Sequence, residues 1–297
     1  MNQTTDDGQR TVNEIMRSTT ATLTPKYGEG EAKAMVRFMF ENLKGWTPVD
    51  LAIKANEHLT AFMEGKIADV VKRLMSDEPI QYIFNLADFY GMKLIVTPDT
   101  LIPRPETAEL VDMIVKENNR KDLRVIDLGT GSGCIAIALS RNLPFADVTA
   151  VDINPKTLAV AKENAGKFHC NIRFFETDIL EMAETHDMAL SGPFDIIVSN
   201  PPYIAEHEKR DMERNVTDFE PAGALFVPDN DPLMFYNAEL QYAQKALAGN
   251  GRMYFEINPL FADDLKRLCE NYGFSDVALT RDSFGKIRFL SATKTVI

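Results

Sequence analysis

Cysteine is scarce in this chain of 297 residues, and what there is does not form a pattern. Cys134, Cys170 and Cys269 are an odd, scattered set. They match neither a disulfide framework nor the CxxC spacing of a metal site. A reduced, cytoplasmic protein is therefore expected. Basic residues are in deficit too: 32 Lys+Arg stand against 44 Asp+Glu, a net charge of −12. Such a field repels phosphate backbones and gains little from counterion release, which argues against direct nucleic-acid binding. Nothing approaches the roughly 18 consecutive apolar residues of a membrane span. The opening MNQTTDDGQR has no basic start followed by an apolar run. Neither membrane insertion nor secretion is expected, and the polarity of those ten residues predicts a frayed terminus.

What is present is an ordinary globular composition, 45% hydrophobic and 26% charged, long enough to bury a core unaided. From Thr11 to about Ser76, apolar residues such as Ile15, Leu23, Met35, Met39, Leu43, Ile67, Val70 and Leu74 recur at helical spacing. They predict three or four short helices, ended by Pro25, by Gly28 and Gly30, and by Gly45 to Pro48. Tyr82-Ile83-Phe84, Phe89-Tyr90-Gly91 and Leu94-Ile95-Val96 then favour β-structure, read as a hairpin. Pro98, Pro103 and Pro105 punctuate a loop before a helix from Glu106 to Val115. These breaks divide the chain into a helical domain over 1–77, a hairpin linker over 78–105 and a larger domain over 106–297.

After Lys121, short β-branched runs alternate with helical stretches, the rhythm of βαβ units. Strands are expected at Arg124–Leu128, Asp147–Asp152, Ile172–Glu176, Phe194–Ser199, Arg252–Glu256, Asp276–Leu279 and Lys286–Ala292. Helices fit near Cys134–Arg141, Lys156–Ala165, Leu233–Leu247 and Leu260–Asn271. The fold class is α/β: a doubly wound, Rossmann-like sheet of seven strands, the last two a hairpin that gives an antiparallel edge.

The run Asp127-Leu-Gly129-Thr130-Gly131-Ser132-Gly133-Cys134 takes a buried strand through a glycine-rich turn into a helix. Glycines there let the backbone approach a ligand closely. The spacing is G-x-G-x-G, and no P-loop Lys follows, so pyrophosphate is not the indicated ligand. Asp152, at the end of the next strand, is placed to accept both hydroxyls of a ribose. Asp178, after the third strand, is placed to accept from an adenine amino group, with Ile179 offering an apolar wall. Any one of Asp127, Asp152 and Asp178 could instead cap a helix or strand. All three in register favour a nucleoside-containing cofactor.

Ser199-Asn200-Pro201-Pro202-Tyr203 ends the strand expected beside the glycine turn. Two prolines remove two N–H donors and leave carbonyls that need partners from outside. A planar NH2 group fits: one hydrogen goes to the Asn200 side-chain oxygen, the other to the Pro201 carbonyl, with Tyr203 packing on the flat group. In isolation the same residues would be read as an Asx-turn ending a strand.

Together these residues resemble the S-adenosylmethionine-dependent amino-methyltransferases. Glu78-Pro-Ile-Gln-Tyr82, Ile102-Pro-Arg104-Pro-Glu106-Thr107 and Phe219-Glu220-Pro221 resemble, within them, the peptide chain release factor N5-glutamine methyltransferases. That resemblance runs from about residue 10 to the C-terminus. It implies that S-adenosylmethionine is consumed and S-adenosylhomocysteine formed. It further implies that the helical domain recognises a release factor whose Gly-Gly-Gln loop carries the target glutamine. By resemblance, Gly129 to Gly133, Thr130 and Ser132 included, hold the cofactor's methionine end, and Asp127 also belongs to the cofactor site. Asp152 holds its ribose, and Asp178 with Ile179 its adenine; some relatives have an aromatic residue where Ile179 stands. Asn200, Pro201, Pro202 and Tyr203 hold the substrate, with Asn200, Pro201 and Tyr203 at the chemistry and Asn200 also at the cofactor. The alternative is an adenine N6-methyltransferase acting on DNA or RNA, which shares Asn-Pro-Pro-Tyr but calls for a basic surface.

Other features carry less. His58, His169, His186 and His207 lack metal-ligand spacing, and Asp229-Asn230-Asp231 lacks the Gly and Glu of a calcium loop. Cys134, at a helix start, reads as buried beneath the glycine turn. Arg104 is left with two roles, substrate contact or a brace of the domain interface.

Overall fold

A computed structural model describes residues 10–184 and 187–295 of the chain. His186 and the first nine residues therefore lie outside what it describes. The chain divides into two compact units, Met1–Phe84 and Asn85–Ile297.

The first unit is helical: α1 (Val12–Tyr27), α2 (Glu29–Lys44), α3 (Pro48–Ile53), α4 (Ala61–Met75) and α5 (Ile80–Phe84). Thr11 begins α1 with a capping box, its hydroxyl accepting from Glu14 N while the Glu14 carboxylate accepts from Thr11 N. Pro25 does not end α1. It sits in the last turn, and the helix closes at Gly28, whose N–H donates to Thr24 O at 2.9 Å. Gly30 lies inside the first turn of α2, and Gly45 caps that helix in the left-handed region. The predicted apolar stripe, Ile15, Leu23, Met35, Met39, Ile67, Val70 and Leu74, is the core of this unit.

Tyr82-Ile83-Phe84 corrects the sequence reading, being α5 and not a strand. The N–H groups of Tyr82 and Ile83 both donate to Pro79 O, at 3.0 and 3.1 Å. Ile80, Ile83 and Phe84 pack on the helical core. Local hydrogen bonds and burial outweigh the β preference of these side chains.

The hairpin starts later, as β1 (Leu86–Phe89) and β2 (Met92–Ile95). Its turn is Tyr90-Gly91, with φ of 47° and 72°, the positive pair that suits strand twist. It belongs to the second unit, where Phe89, Met92 and Leu94 join the sheet's core. The segment expected as a linker over 78–105 is thus divided between the two units.

Next come α6 (Pro105–Glu117), β3 (Arg124–Leu128), α7 (Cys134–Asn142), β4 (Asp147–Asp152), α8 (Pro155–Lys167), β5 (Ile172–Glu176) and β6 (Phe194–Ser199). The two-residue strands β7 (Ile204–Ala205) and β8 (Phe226–Val227), with the short α9 (Arg214–Thr217) between them, were not foreseen. The chain finishes with α10 (Met234–Ala246), β9 (Leu247–Glu256), α11 (Ala262–Asn271), β10 (Phe274–Arg281) and β11 (Ile287–Lys294).

Seven strands form one sheet in the order β10-β11-β9-β6-β3-β4-β5. Pairing is parallel from β5 through β9, and β11 runs antiparallel to both neighbours. Alternation along the strands builds two cores. Ile126, Leu128, Ile197 and Phe255 pack with α10 and α11; Val125, Ile196, Val198 and Tyr254 pack with α6 and α7. The chain reverses direction across the sheet between β3 and β6, the place where open α/β sheets bind ligands.

Candidate active site

Parallel registers bring the carboxyl ends of β3, β4, β5, β6 and β9 to one edge, so Leu128, Asp152, Glu176, Ser199 and Glu256 end in a row. A cavity of about 460 Å3 opens there. Its walls include Gly129, Gly131, Asp152, Asp178, Ile179, Asn200 and Pro202, all singled out from the sequence. Leu101, Pro221, Ala224 and Phe235 also line it and had no site role in the sequence reading.

The glycine turn is held by its own strands. Gly129, Gly131 and Gly133 have φ of +71°, +56° and +81°, and Thr130 N donates to Val151 O at 2.8 Å. At Gly133 a Cβ would stand 3.3 Å from Ala161 Cβ, so this glycine serves helix packing. At Gly131 a Cβ would meet nothing within 4 Å, and the residue lines the cavity. The cradle is therefore open on the ligand side.

The three aspartates differ. Asp127 is fully buried; its Oδ2 accepts from Thr130 Oγ1 at 2.6 Å and Ala136 N at 3.2 Å. Its Oδ1 has no hydrogen-bond partner among the described residues, and burial pushes the carboxyl up to about 7. Asp152 accepts from Gly131 N at 3.0 Å through Oδ2 and from Asn154 N at 3.0 Å through Oδ1, which ties the second strand end to the glycine turn. Its burial also raises its pKa. Asp178 accepts from Leu180 N at 2.9 Å and faces the cavity beside Ile179. The cap-like contacts considered from the sequence are thus present, and Asp152 and Asp178 still form the wall.

Asp127, Thr130, Ser132 and Gly133 stand behind that wall, not on it. Pro201 is buried. Tyr203 lies to one side, where it lines a second cleft with Asn258 and Arg288. Its hydroxyl donates to Glu256 Oε1 at 3.0 Å, and burial raises its pKa.

Asn200 links cavity and network. Its Nδ2 donates to Thr107 Oγ1 at 3.3 Å, and Thr107 Oγ1 donates to Glu256 Oε2 at 2.7 Å. Thr107 and Glu256 are both buried, and burial raises the Glu256 pKa. The signal for Glu256 was present in the sequence: a carboxylate ending the apolar run Met253-Tyr-Phe, as Asp127 and Asp152 interrupt or end theirs.

Arg104 is a brace within this unit. Its Nη2 lies 2.5 Å from Oε1 of the buried Glu220, whose Oε2 accepts from Ile102 N at 3.2 Å. The pair ties two cavity-lining loops together, those carrying Leu101 and Pro221.

Cys134 is buried, and desolvation pushes its thiol up to about 12, the behaviour of an inert structural thiol. Asp229 Oδ1 accepts from the backbone N–H of His207 at 2.9 Å and lies 2.6 Å from its ring Nδ1. Among the described residues no three or more His, Cys, Asp and Glu are grouped to hold a metal, and no helix is long and apolar enough to cross a membrane.

A glycine cradle at the switch point of a seven-stranded doubly wound sheet, with carboxylates on the next two strand ends, is a site for a nucleoside-containing cofactor, and the family matches make its owner a methyltransferase. The Methyltransferase small domain family matches residues 106–258, and the PrmC N-terminal domain matches residues 14–84. The chain is 42% identical over 268 residues to a release factor glutamine methyltransferase of Bacteroides thetaiotaomicron, covering 90% of this chain and 95% of that one. It is 41% identical over 268 residues to its Flavobacterium psychrophilum counterpart, covering 89% and 92%. Among solved structures, a methyltransferase from Pyrococcus furiosus superposes with a TM-score of 0.51 at 17% identity, covering 77% of this chain and all of that one, a likeness of fold. The chain belongs to the release factor glutamine methyltransferase family, and its methyl donor is S-adenosylmethionine. The residues present fit that donor: an open glycine cradle, two wall carboxylates for hydroxyl and amino donors, and Ile179 and Phe235 for an apolar ring.

Proposed function

We propose that this chain transfers the methyl group of S-adenosylmethionine to the side-chain amide nitrogen of the glutamine in the Gly-Gly-Gln loop of peptide chain release factors. The observation that carries this reading is Asn200. It lines the cavity next to the glycine turn, its NH2 is engaged by Thr107, and its Oδ1 is the end left to accept an amide hydrogen. The cofactor supplies an electrophilic methyl on a sulfonium centre.

An amide nitrogen is a weak nucleophile because its lone pair is delocalised. The protein must therefore hold it in line and stabilise positive charge as it develops. Asn200 Oδ1 and the Pro201 carbonyl suit that charge change, since acceptor contacts strengthen as the nitrogen becomes positive. No side chain of Asn200–Tyr203 is a ready general base, so proton loss follows or accompanies the end of methyl transfer. Asp152 holds the ribose and Asp178 with Ile179 the adenine. The helical unit, residues 1–84, recognises the release factor. On this reading the enzyme works in the cytoplasm and does not bind nucleic acid directly.

The test is transfer of labelled methyl from S-adenosylmethionine to a purified release factor, to its variant with the loop glutamine changed to alanine, and to adenine-containing DNA and RNA. Label on the factor that vanishes with the glutamine is the expected result. Label on nucleic acid would move the target to adenine.

A further inference from the structure

Glu256 reaches the Asn-Pro-Pro-Tyr segment at both ends, directly at the Tyr203 hydroxyl and through Thr107 at Asn200. It is the last residue of β9, one strand over from Asn200, and it is 1% exposed. Its backbone carbonyl is itself held by the Tyr236 hydroxyl at 2.8 Å. Oε1 accepts from the Tyr203 hydroxyl and Oε2 from the Thr107 hydroxyl. Thr107, in the first turn of α6, is 2% exposed.

The hydroxyls of Thr107 and Tyr203 and the charge of Arg288 oppose the effect of burial and favour the ionised form of Glu256; an ionised carboxylate can only accept, and a threonine hydroxyl has one hydrogen. Once that hydrogen is committed to Glu256 at 2.7 Å, Thr107 can meet Asn200 only as an acceptor. An acceptor takes the Nδ2 end of the amide and rejects the Oδ1 end. The direction of the whole relay is thus set at Glu256. Reversing it would place two acceptors face to face in a buried site.

We infer that Glu256 and Thr107 are positioning residues that fix which end of the Asn200 side chain faces the methyl-accepting group. This rests on the proposed reaction and adds what that reaction needs. A flipped Asn200 would present NH2 to the NH2 of the substrate amide, donor against donor. The same carboxylate holds the Tyr203 hydroxyl, so one buried group sets both ends of the segment Asn200–Tyr203.

Three variants test the relay in steady-state assays with S-adenosylmethionine and a release factor, alongside cofactor titration and a melting curve. Thr107→Val keeps shape and removes the hydroxyl. It is expected to lower kcat by roughly 10- to 100-fold, the scale of a misplaced catalytic group, while KM for the release factor and the cofactor dissociation constant stay within about threefold. Thr107→Ser restores the hydroxyl and is expected to recover kcat to within about threefold of wild type. Glu256→Leu removes both acceptors and frees the Thr107 hydroxyl to donate to the Oδ1 end of Asn200. It is expected to lose kcat as Thr107→Val does; should it fail to fold, the threonine pair decides alone. Wild-type kcat in Thr107→Val overturns the inference, as does equal loss in Thr107→Ser, which would mean packing only. Wild-type protein that labels no glutamine overturns the functional reading, and this inference with it, before any substitution is made.

Discussion

The two halves of the site are built in different ways. The cofactor half is local: glycine turn and following helix lie in one run from Asp127 to Asn142, and of the wall carboxylates Asp152 ends β4 while Asp178 stands two residues past the end of β5. Its contacts are largely to backbone, as when Gly131 N and Asn154 N donate to Asp152. The substrate half is assembled from distant side chains: Asn200 to Thr107, Thr107 to Glu256, Tyr203 to Glu256 and Arg104 to Glu220. Backbone cradles are written into adjacent residues, whereas side-chain relays exist only once the sheet has formed.

Breaking the substrate half at its centre has the largest expected effect. On the proposed reading Asn200→Ala removes the acceptor for the amide hydrogen, and kcat is expected to fall roughly 100-fold or more, the cost of losing one such preorganised contact. Cofactor affinity should change far less. A kcat close to wild type would show that the relay ends somewhere other than the reacting amide.

The same difference explains what the sequence disclosed. Four strands, Arg124–Leu128, Asp147–Asp152, Ile172–Glu176 and Phe194–Ser199, match their expected bounds because each is a short run rich in β-branched or aromatic residues, buried in three of them and half-exposed at the sheet edge in Ile172–Glu176. Gly131, Asp152, Asp178 and Asn200 were likewise readable, each at a strand end. Glu256 was passed over because its partners are 149 and 53 residues away. Phe235, on α10, was hidden for a related reason: only sheet topology carries the start of α10 to the mouth of the glycine turn. Tyr82–Phe84 misled because its strand-forming side chains serve a helical core.

Arg104→Ala attacks the substrate half from its rim. It leaves the Glu220 carboxylate, 1% exposed, without its cation, and Arg104 is itself about a third exposed, so water softens the loss. A stability decrease of about 2 kcal/mol is expected in urea unfolding. A variant as stable as wild type would mean that the loops at Leu101 and Pro221 hold without the brace.

Asp127 gives the cofactor half a pH signature of similar size. Its folded pKa of about 7 lies above the ordinary carboxylate value because burial disfavours the charge. The folded state therefore holds a proton that the unfolded state has already released. Stability from this group is full in acid, declines as pH rises, and levels off above about 7, a loss of about 2 kcal/mol between pH 5 and 8. Asp127→Asn does not titrate, so its midpoint relative to wild type should rise over that interval. A difference that stays flat with pH would assign the Asp127 charge a partner in the fold.

Gly131→Ala is the sharpest probe of the cofactor half, with the smallest effect. The backbone at +56° disfavours any Cβ by about 1–2 kcal/mol. With no atom within 4 Å of the added carbon, nothing in the protein is displaced, and on the proposed reading what the methyl meets is the bound cofactor. Affinity for S-adenosylmethionine is expected to fall about 10-fold by calorimetric titration, with a smaller effect on kcat at saturating cofactor. A variant that binds cofactor normally would detach the glycine cradle from the ligand. One that instead loses kcat as heavily as Asn200→Ala would show that the two halves act on the reacting atoms as a single unit.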